Sequence, residues 1–253
     1  MHSIITFNTL GHMGRFCNQA YQIAGTIGIA RRNNMQFAFP RWLNYDHRDR
    51  FGSAEDIDLQ KYFLNPLPVY EGPNLPARWI EWGFHDVILN GGASLSGHLQ
   101  STRYFEHCLD EVRWYFRMVD EPPLSDYVAV HVRLGDYDNA YHPRMGLNYY
   151  QPAMALFPGA RFLVFSDDLD SCKKIFGNSV EYSEGRSYLD DFKLMKRCRH
   201  FIIANSTFSS FAAVLGDAPD KRVVAPRPWF GALAGITGED IYNPDWTVIN
   251  YGN

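Results

Sequence analysis

The stretch Tyr127-Val128-Ala129-Val130-His131-Val132-Arg133-Leu134-Gly135-Asp136-Tyr137 runs from an apolar segment into a cation, a glycine and a carboxylate. An apolar run over 127–132 predicts a strand buried on both faces, as in a parallel sheet covered by helices. An arginine at the end of such a strand needs an anion, because burying an unpaired guanidinium is costly. Either Asp136 supplies it, pairing with Arg133 to cap the turn, or the planar fork of Arg133 faces a phosphate, which it matches bidentately.

Downstream, the pattern repeats. Strands are predicted at 161–165, 179–182, 200–204 and 222–225, with helices at 150–156, 169–176, 188–198 and 208–215. Apolar strands alternating with helices make this half an α/β parallel sheet. Upstream, 3–7 reads as a strand, followed by a glycine-bearing turn over 10–14. A helix then spans 18–34, with Ile23, Ile27 and Ala30 on one face, and a strand covers 36–39. Residues 41–76 read as irregular and end near the aromatic group Trp79, Trp82 and Phe84, and 101–118 reads as one helix. The break Glu121-Pro122-Pro123 is the linker. The expected organisation is therefore two α/β domains, 1–120 and 121–253, with ligands at the strand ends in a cleft between them.

Three further segments fall at strand ends. Asn205-Ser206-Thr207-Phe208-Ser209-Ser210 precedes a predicted helix. Its hydroxyls exceed what a single N-cap uses, and a helix start with free N–H groups is an anion site. Gly11-His12-Met13-Gly14-Arg15-Phe16-Cys17-Asn18-Gln19 lets backbone approach a ligand, but lacks the spacing of the common phosphate loops. Asp167 and Asp168 follow the strand at 161–165; such acids cap the next helix, or one of them accepts hydrogen bonds from N1–H and the amino group of guanine.

Composition narrows the choice of partners. The 253 residues are 46% hydrophobic and 21% charged, with a formal net charge of -4. There is no basic run, so a nucleic-acid backbone is not an expected partner, whereas a single nucleotide is. Cys17, Cys108, Cys172 and Cys198 show no metal-ligand spacing, and free buried thiols are expected. No apolar run reaches the ~18 residues of a membrane span. The first residues lack the pattern of a secretory leader, so a cytoplasmic location is expected.

The sequence resembles glycosyltransferase family 11, the α-1,2-fucosyltransferase type, within the wider fucosyltransferase group. Gly14-Arg15-Phe16-Cys17-Asn18-Gln19-Ala20-Tyr21-Gln22 is similar to the family's G-R-F-G-N-Q-M-x-Q, and 131–137 resembles H-V-R-R-G-D-Y. Phe165-Ser166-Asp167-Asp168 matches F-S-D-D, 202–215 is similar to I-I-A-N-S-S-F-S-W-W-A-A-W-L, and 240–246 to D-I-Y-P-x-x-W. The resemblance implies a GT-B-type fold, with two Rossmann-like halves facing across a cleft. The N-terminal half would be on the acceptor side and the C-terminal half would bind the GDP-sugar. It implies inverting, metal-independent transfer of L-fucose from GDP-fucose to a glycan hydroxyl. Arg133 would bind the β-phosphate, His131 and Asp168 would lie near the guanosine, and Ser206, Thr207 and Ser209 near the phosphates. Asn18 and Gln19 would approach the donor from the other half. Asp136 and His142 are both candidates for the general base. Leu134 stands where the family has a second arginine, Cys17 where it has glycine, and Ser210-Phe211 where it has two tryptophans. Transfer from another GDP-sugar, or a non-catalytic GDP- or glycan-binding relative, are the alternatives. Nothing in the sequence fixes the oligomeric state.

Overall fold

The computed structural model describes residues 3–44, 57–119, 121–135, 137 and 140–252. The chain divides into two compact units, Met1–Asp120 and Glu121–Asn253.

In the first unit, β1 (Ile4–Thr6) leads through the glycine-bearing loop to α1 (Phe16–Arg32) and then to β2 (Gln36–Phe37). A two-stranded antiparallel pair follows, β3 (Leu43–Asn44) and β4 (Ile57–Asp58). Next come β5 (Ala77–Trp79), β6 (Ala93–Ser96) and α2 (Leu109–Tyr115). The main sheet is parallel, in the order β2-β1-β6-β5. Arg31 and Arg32 lie in the last turn of α1, where cations complement the helix dipole. This helix is buried along nearly its whole length, because later chain crosses its outer side. A Cβ on Gly28 would stand 2.0 Å from the Tyr104 carbonyl oxygen, so only glycine admits this crossing. The same crossing breaks the single helix predicted over 101–118. Tyr104 and Phe105 are both buried, and the chain makes two short 3-10 turns, Thr102–Tyr104 and Glu106–Cys108, before α2 begins.

The second unit contains, in order, β7 (Leu124–Val132), α3 (Leu147–Ala155), β8 (Arg161–Ser166), α4 (Leu169–Phe176) and β9 (Glu181–Tyr182). These are followed by α5 (Tyr188–Met195), β10 (Cys198–Ile202), α6 (Thr207–Leu215), β11 (Val223–Arg227) and β12 (Thr247–Asn250). All strands are parallel, in the order β12-β11-β10-β7-β8-β9. β7 is central, and Val128, Val130 and Val132 pack with Tyr149, Tyr150, Val164, Ile202 and Val224 in the core. The buried Tyr149 hydroxyl meets the carbonyls of Ile203 at 2.7 Å and Val224 at 3.0 Å, so the helix is hydrogen-bonded to the sheet as well as packed on it. β7 begins three residues earlier than the apolar run, α3 begins at Leu147, and β12 is a strand the sequence pattern did not announce.

From β7 the chain moves outward to β8 and β9, then returns to the other side of β7 to build β10, β11 and β12. The direction of winding thus reverses between β7 and β10. In open α/β sheets that reversal opens a crevice at the carboxyl ends of the two strands, where ligands bind. All four cysteines are free thiols. Among the described residues no helix is long and apolar enough to cross a membrane.

Candidate active site

Both strands flanking the reversal carry the residues singled out in the sequence. His131 is near the end of β7, and Arg133 follows the strand. Asn205 and Ser206 follow β10, and Ser206 caps α6 by accepting a hydrogen bond from Phe208 N at 3.3 Å. Three links tie the two strand ends together. His131 Nδ1 lies 2.8 Å from Ser209 Oγ, and the His131 and Phe208 rings are 5.5 Å apart. The third link runs from Arg133, whose Cζ lies 5.6 Å from the Tyr137 ring centre, through the Tyr137 hydroxyl, which donates to Asn205 O at 2.8 Å. The guanidinium and the start of α6 therefore share one edge of one sheet.

Arg133 is held from the other side by Asp167. Its Nη1 lies 3.0 Å from Asp167 Oδ2. The same carboxylate accepts from Leu134 N at 3.0 Å and Gly135 N at 2.9 Å. One acidic side chain thus fixes the turn after β7 and the direction of the fork. Asp136, the partner considered from sequence, lies outside the described residues.

His131 is only 6% exposed, and burial together with the Arg133 charge pulls its pKa down to about 3. It is a neutral imidazole at physiological pH, locked by Ser209. The Ser209 hydroxyl also meets Ala204 N at 3.2 Å and Ser206 O at 3.4 Å. Ser209 therefore braces the edge from inside, while Ser206 and Thr207 stay half-buried at the helix start, where the dipole favours anions.

Asp168 caps α4, accepting from Ser171 N at 3.0 Å and Ser171 Oγ at 2.7 Å, and these bonds hold its carboxyl below the usual range. His142 packs among rings, stacked on Tyr137 at 4.9 Å and 5.8 Å from Phe230. Its loop is anchored by Asn205 Nδ2, which donates to Pro143 O and Trp229 O at 3.0 Å each.

In the first unit, Gln19 is fully buried with both ends of its amide engaged. Nε2 donates to Gly14 O at 2.8 Å, and Oε1 accepts from Trp42 Nε1 at 2.7 Å. Its work is to hold the loop before α1. Asn18, one residue earlier, accepts from Gln100 Nε2 at 2.7 Å.

Sequence reasoning missed two contributors. Tyr137 and Asn205 stood inside quoted motifs, but their bridging is visible only once β7 and β10 are neighbours. Asp191 of α5 has a structural part instead: its Oδ1 accepts from the buried Ser183 hydroxyl at 2.5 Å, and burial pushes its pKa up to about 6. A raised carboxyl favours the neutral acid in the folded state. Its contribution to stability is full below the unfolded value and is lost as pH rises through about 6. Asp191→Asn keeps an acceptor for Ser183 without the charge. The stability of the variant relative to the parent, from urea unfolding, is expected to be greater at about pH 8 than at about pH 4. A difference independent of pH would show that Asp191 does not titrate in this range.

The model of the family Glycosyl transferase family 11 matches residues 102–250. The chain is 33% identical over 217 residues to the alpha-1,2-colitosyltransferase of Escherichia coli, covering 74% of this chain and 75% of that protein. It is 28% identical over 282 residues to the galactoside alpha-(1,2)-fucosyltransferase 1 of Sus scrofa, covering 94% of this chain and 73% of that one. Among solved structures, POFUT1 in complex with GDP-fucose superposes with a TM-score of 0.52 at 14% identity, over 88% of this chain and 98% of that one. That likeness is one of fold, a GT-B-type α/β architecture, as the motifs implied.

Proposed function

The chain belongs to glycosyl transferase family 11 and is a glycosyltransferase; from that premise we propose that it transfers L-fucose from GDP-fucose to a hydroxyl of a glycan acceptor, forming an α-1,2 linkage with inversion. The unit Glu121–Asn253 binds the donor in this reading, and the unit Met1–Asp120 supplies the acceptor side. The observation that carries it is the meeting of Arg133 and the α6 start at the reversal between β7 and β10.

The acceptor oxygen attacks the anomeric carbon as the bond from that carbon to the β-phosphate oxygen breaks, and the electron pair leaves with GDP. Arg133 meets the growing charge on that oxygen, with Ser206, Thr207 and the N–H groups of α6 on the diphosphate. Such preorganised donors act where charge develops and so lower the barrier. The positive charge comes from the protein, which is the metal-independent chemistry that the family resemblance implies. His131, neutral and locked, shapes the crevice near the guanosine. Asp168 keeps a further lone pair on each oxygen beyond those used by Ser171, enough to accept from guanine. In the first unit, Asn18 is held by Gln100, and Gln19 acts through the loop that it holds. A base, Asp136 or His142, takes the acceptor proton.

A second reading keeps the mechanism and changes the sugar. The 33% identity to a colitosyltransferase, with Leu134 in place of an arginine, favours a donor carrying a more deoxygenated 6-deoxyhexose. A panel of GDP-sugars assayed for GDP release with neutral glycan acceptors separates the two readings. GDP-fucose is expected to give the highest kcat/KM, with the linkage of the product read by NMR. Preference for GDP-colitose would establish the second reading, and no release from any donor in the presence of acceptor would overturn both.

A further inference from the structure

The first unit has a reversal of its own. β1 leads outward to β2, and the chain then crosses to the other side of β1 to lay down β5 and β6, so winding reverses between β1 and β6. Their carboxyl ends are adjacent, with Thr6 opposite Ser94 and Asn8 N donating to Ser94 Oγ at 3.0 Å. The rule that marks β7 and β10 as a ligand crevice marks this edge too, but the side chains here have a different chemistry.

The turn that follows β6 is Gly97-His98-Leu99-Gln100. Gly97 has φ 133, and a Cβ there would stand 2.5 Å from Ile80 O. Leu99 is a buried non-glycine residue at φ 53, a conformation that costs free energy and persists only where its surroundings enforce it. Leu99 is wedged against Gly25 of α1, where an added Cβ would meet its side chain at 2.8 Å. Two unusual backbone positions thus fix His98 between them. The half-buried imidazole stands edge-on to Trp82, with ring centres 5.2 Å apart. Its Nδ1 is buried without a hydrogen-bond partner among the described residues. Burial lowers its pKa, which keeps it a neutral ring. Gln100 reaches across the reversal to Asn18.

An indole, a neutral imidazole and two side-chain amides are the groups that bind a sugar, through ring contact with its C–H face and directed hydrogen bonds to its hydroxyls. We propose that this turn is the acceptor subsite, where Trp82 packs on a neutral pyranoside and His98 hydrogen-bonds to one of its hydroxyls through Nε2, the buried Nδ1 being closed to a ligand. The assignment rests on the glycosyltransferase reading above and specifies its acceptor side. The galactoside named for the Sus scrofa relative sets the probe, lactose.

The test uses the full chain with Trp82→Ala and, separately, His98→Gln. Lactose binding is read by saturation-transfer NMR, GDP affinity by calorimetry, folding by thermal melting and, where transfer occurs, the lactose KM. Both variants are expected to weaken lactose binding about tenfold, roughly the loss of one good contact, while GDP affinity changes by less than about twofold. Unchanged lactose binding in either variant that remains folded overturns the subsite, as does a parent protein that binds neither lactose nor other neutral pyranosides. A parent that binds lactose through Trp82 yet releases no GDP from any donor would support the subsite and refute the transferase reading, so the two failures are distinguishable.

Discussion

Arg133→Ala is expected to lower kcat/KM by about 10²–10³-fold or more, with the protein still folded; losses of that size follow removal of one donor aimed at developing charge, ~2.7–4 kcal/mol. The expectation that the fold survives comes from the other side of the ion pair. Asp167 keeps its hydrogen bonds from Leu134 N and Gly135 N when the guanidinium is removed, so no buried carboxylate is stranded. Arg133 packs at the edge of the sheet and takes no part in the Val128–Val130–Val132 core. Arg133→Lys separates charge from geometry. It retains a cation but loses the planar fork that grips two phosphate oxygens, and should fall between the parent and the alanine variant. Steady-state GDP release, GDP affinity by calorimetry and thermal melting together check this. A folded Arg133→Ala variant with most of its activity would remove the residue from the mechanism.

Much of the second unit was legible because its strands are long, apolar and buried on both faces, so their composition alone betrays them. β8 and β11 carry this mark over most of their length, and β7 and β10 carry it in their carboxyl-terminal parts. The first unit was far less legible. β5 and β6 are three and four residues long, and β6 reads Ala-Ser-Leu-Ser, which has no β-branched residue and alternates over too few positions to stand out. The turn carrying His98 follows directly from β6, so missing the strand meant missing the turn. Within the site, sequence named the residue types and the edges they occupy. It did not say which of two adjacent aspartates braces Arg133, because Asp167 and Asp168 differ only in the direction each leaves the end of β8. One turns back to the β7 loop and the other forward to cap α4. A hydroxyl such as Ser209 likewise reads as a phosphate ligand in sequence, whereas its burial under His131 makes it a brace. Motif residues at a strand end divide into those that touch a ligand and those that hold them, and only the packing separates the two.

Asp167 should behave as a holder, and its replacement is expected to have the second largest effect. Asp167→Ala removes three interactions at once, one to Arg133 Nη1 and two to the N–H groups of the turn. Charge-assisted hydrogen bonds are worth roughly 1.5–3 kcal/mol each, and solvent at the edge takes back part of that. The side chains of Arg133 and Asp167 are 18% and 22% exposed, so the lower end of the range applies. The expected result is a fall of about 10–100-fold in kcat/KM, with a reduced melting temperature. Asp167→Asn, which keeps an acceptor oxygen but no charge, should fall in between. The loss acts through Arg133, and that is open to a double-mutant cycle with Arg133→Lys, which retains enough turnover to measure. Once the fork is gone, Asp167→Asn should cost less than about threefold further, a coupling of at least several tenths of a kcal/mol. Independent, multiplying losses would mean that Asp167 contributes by another route, by steadying the turn or touching the donor itself, and that Arg133 is aimed without it.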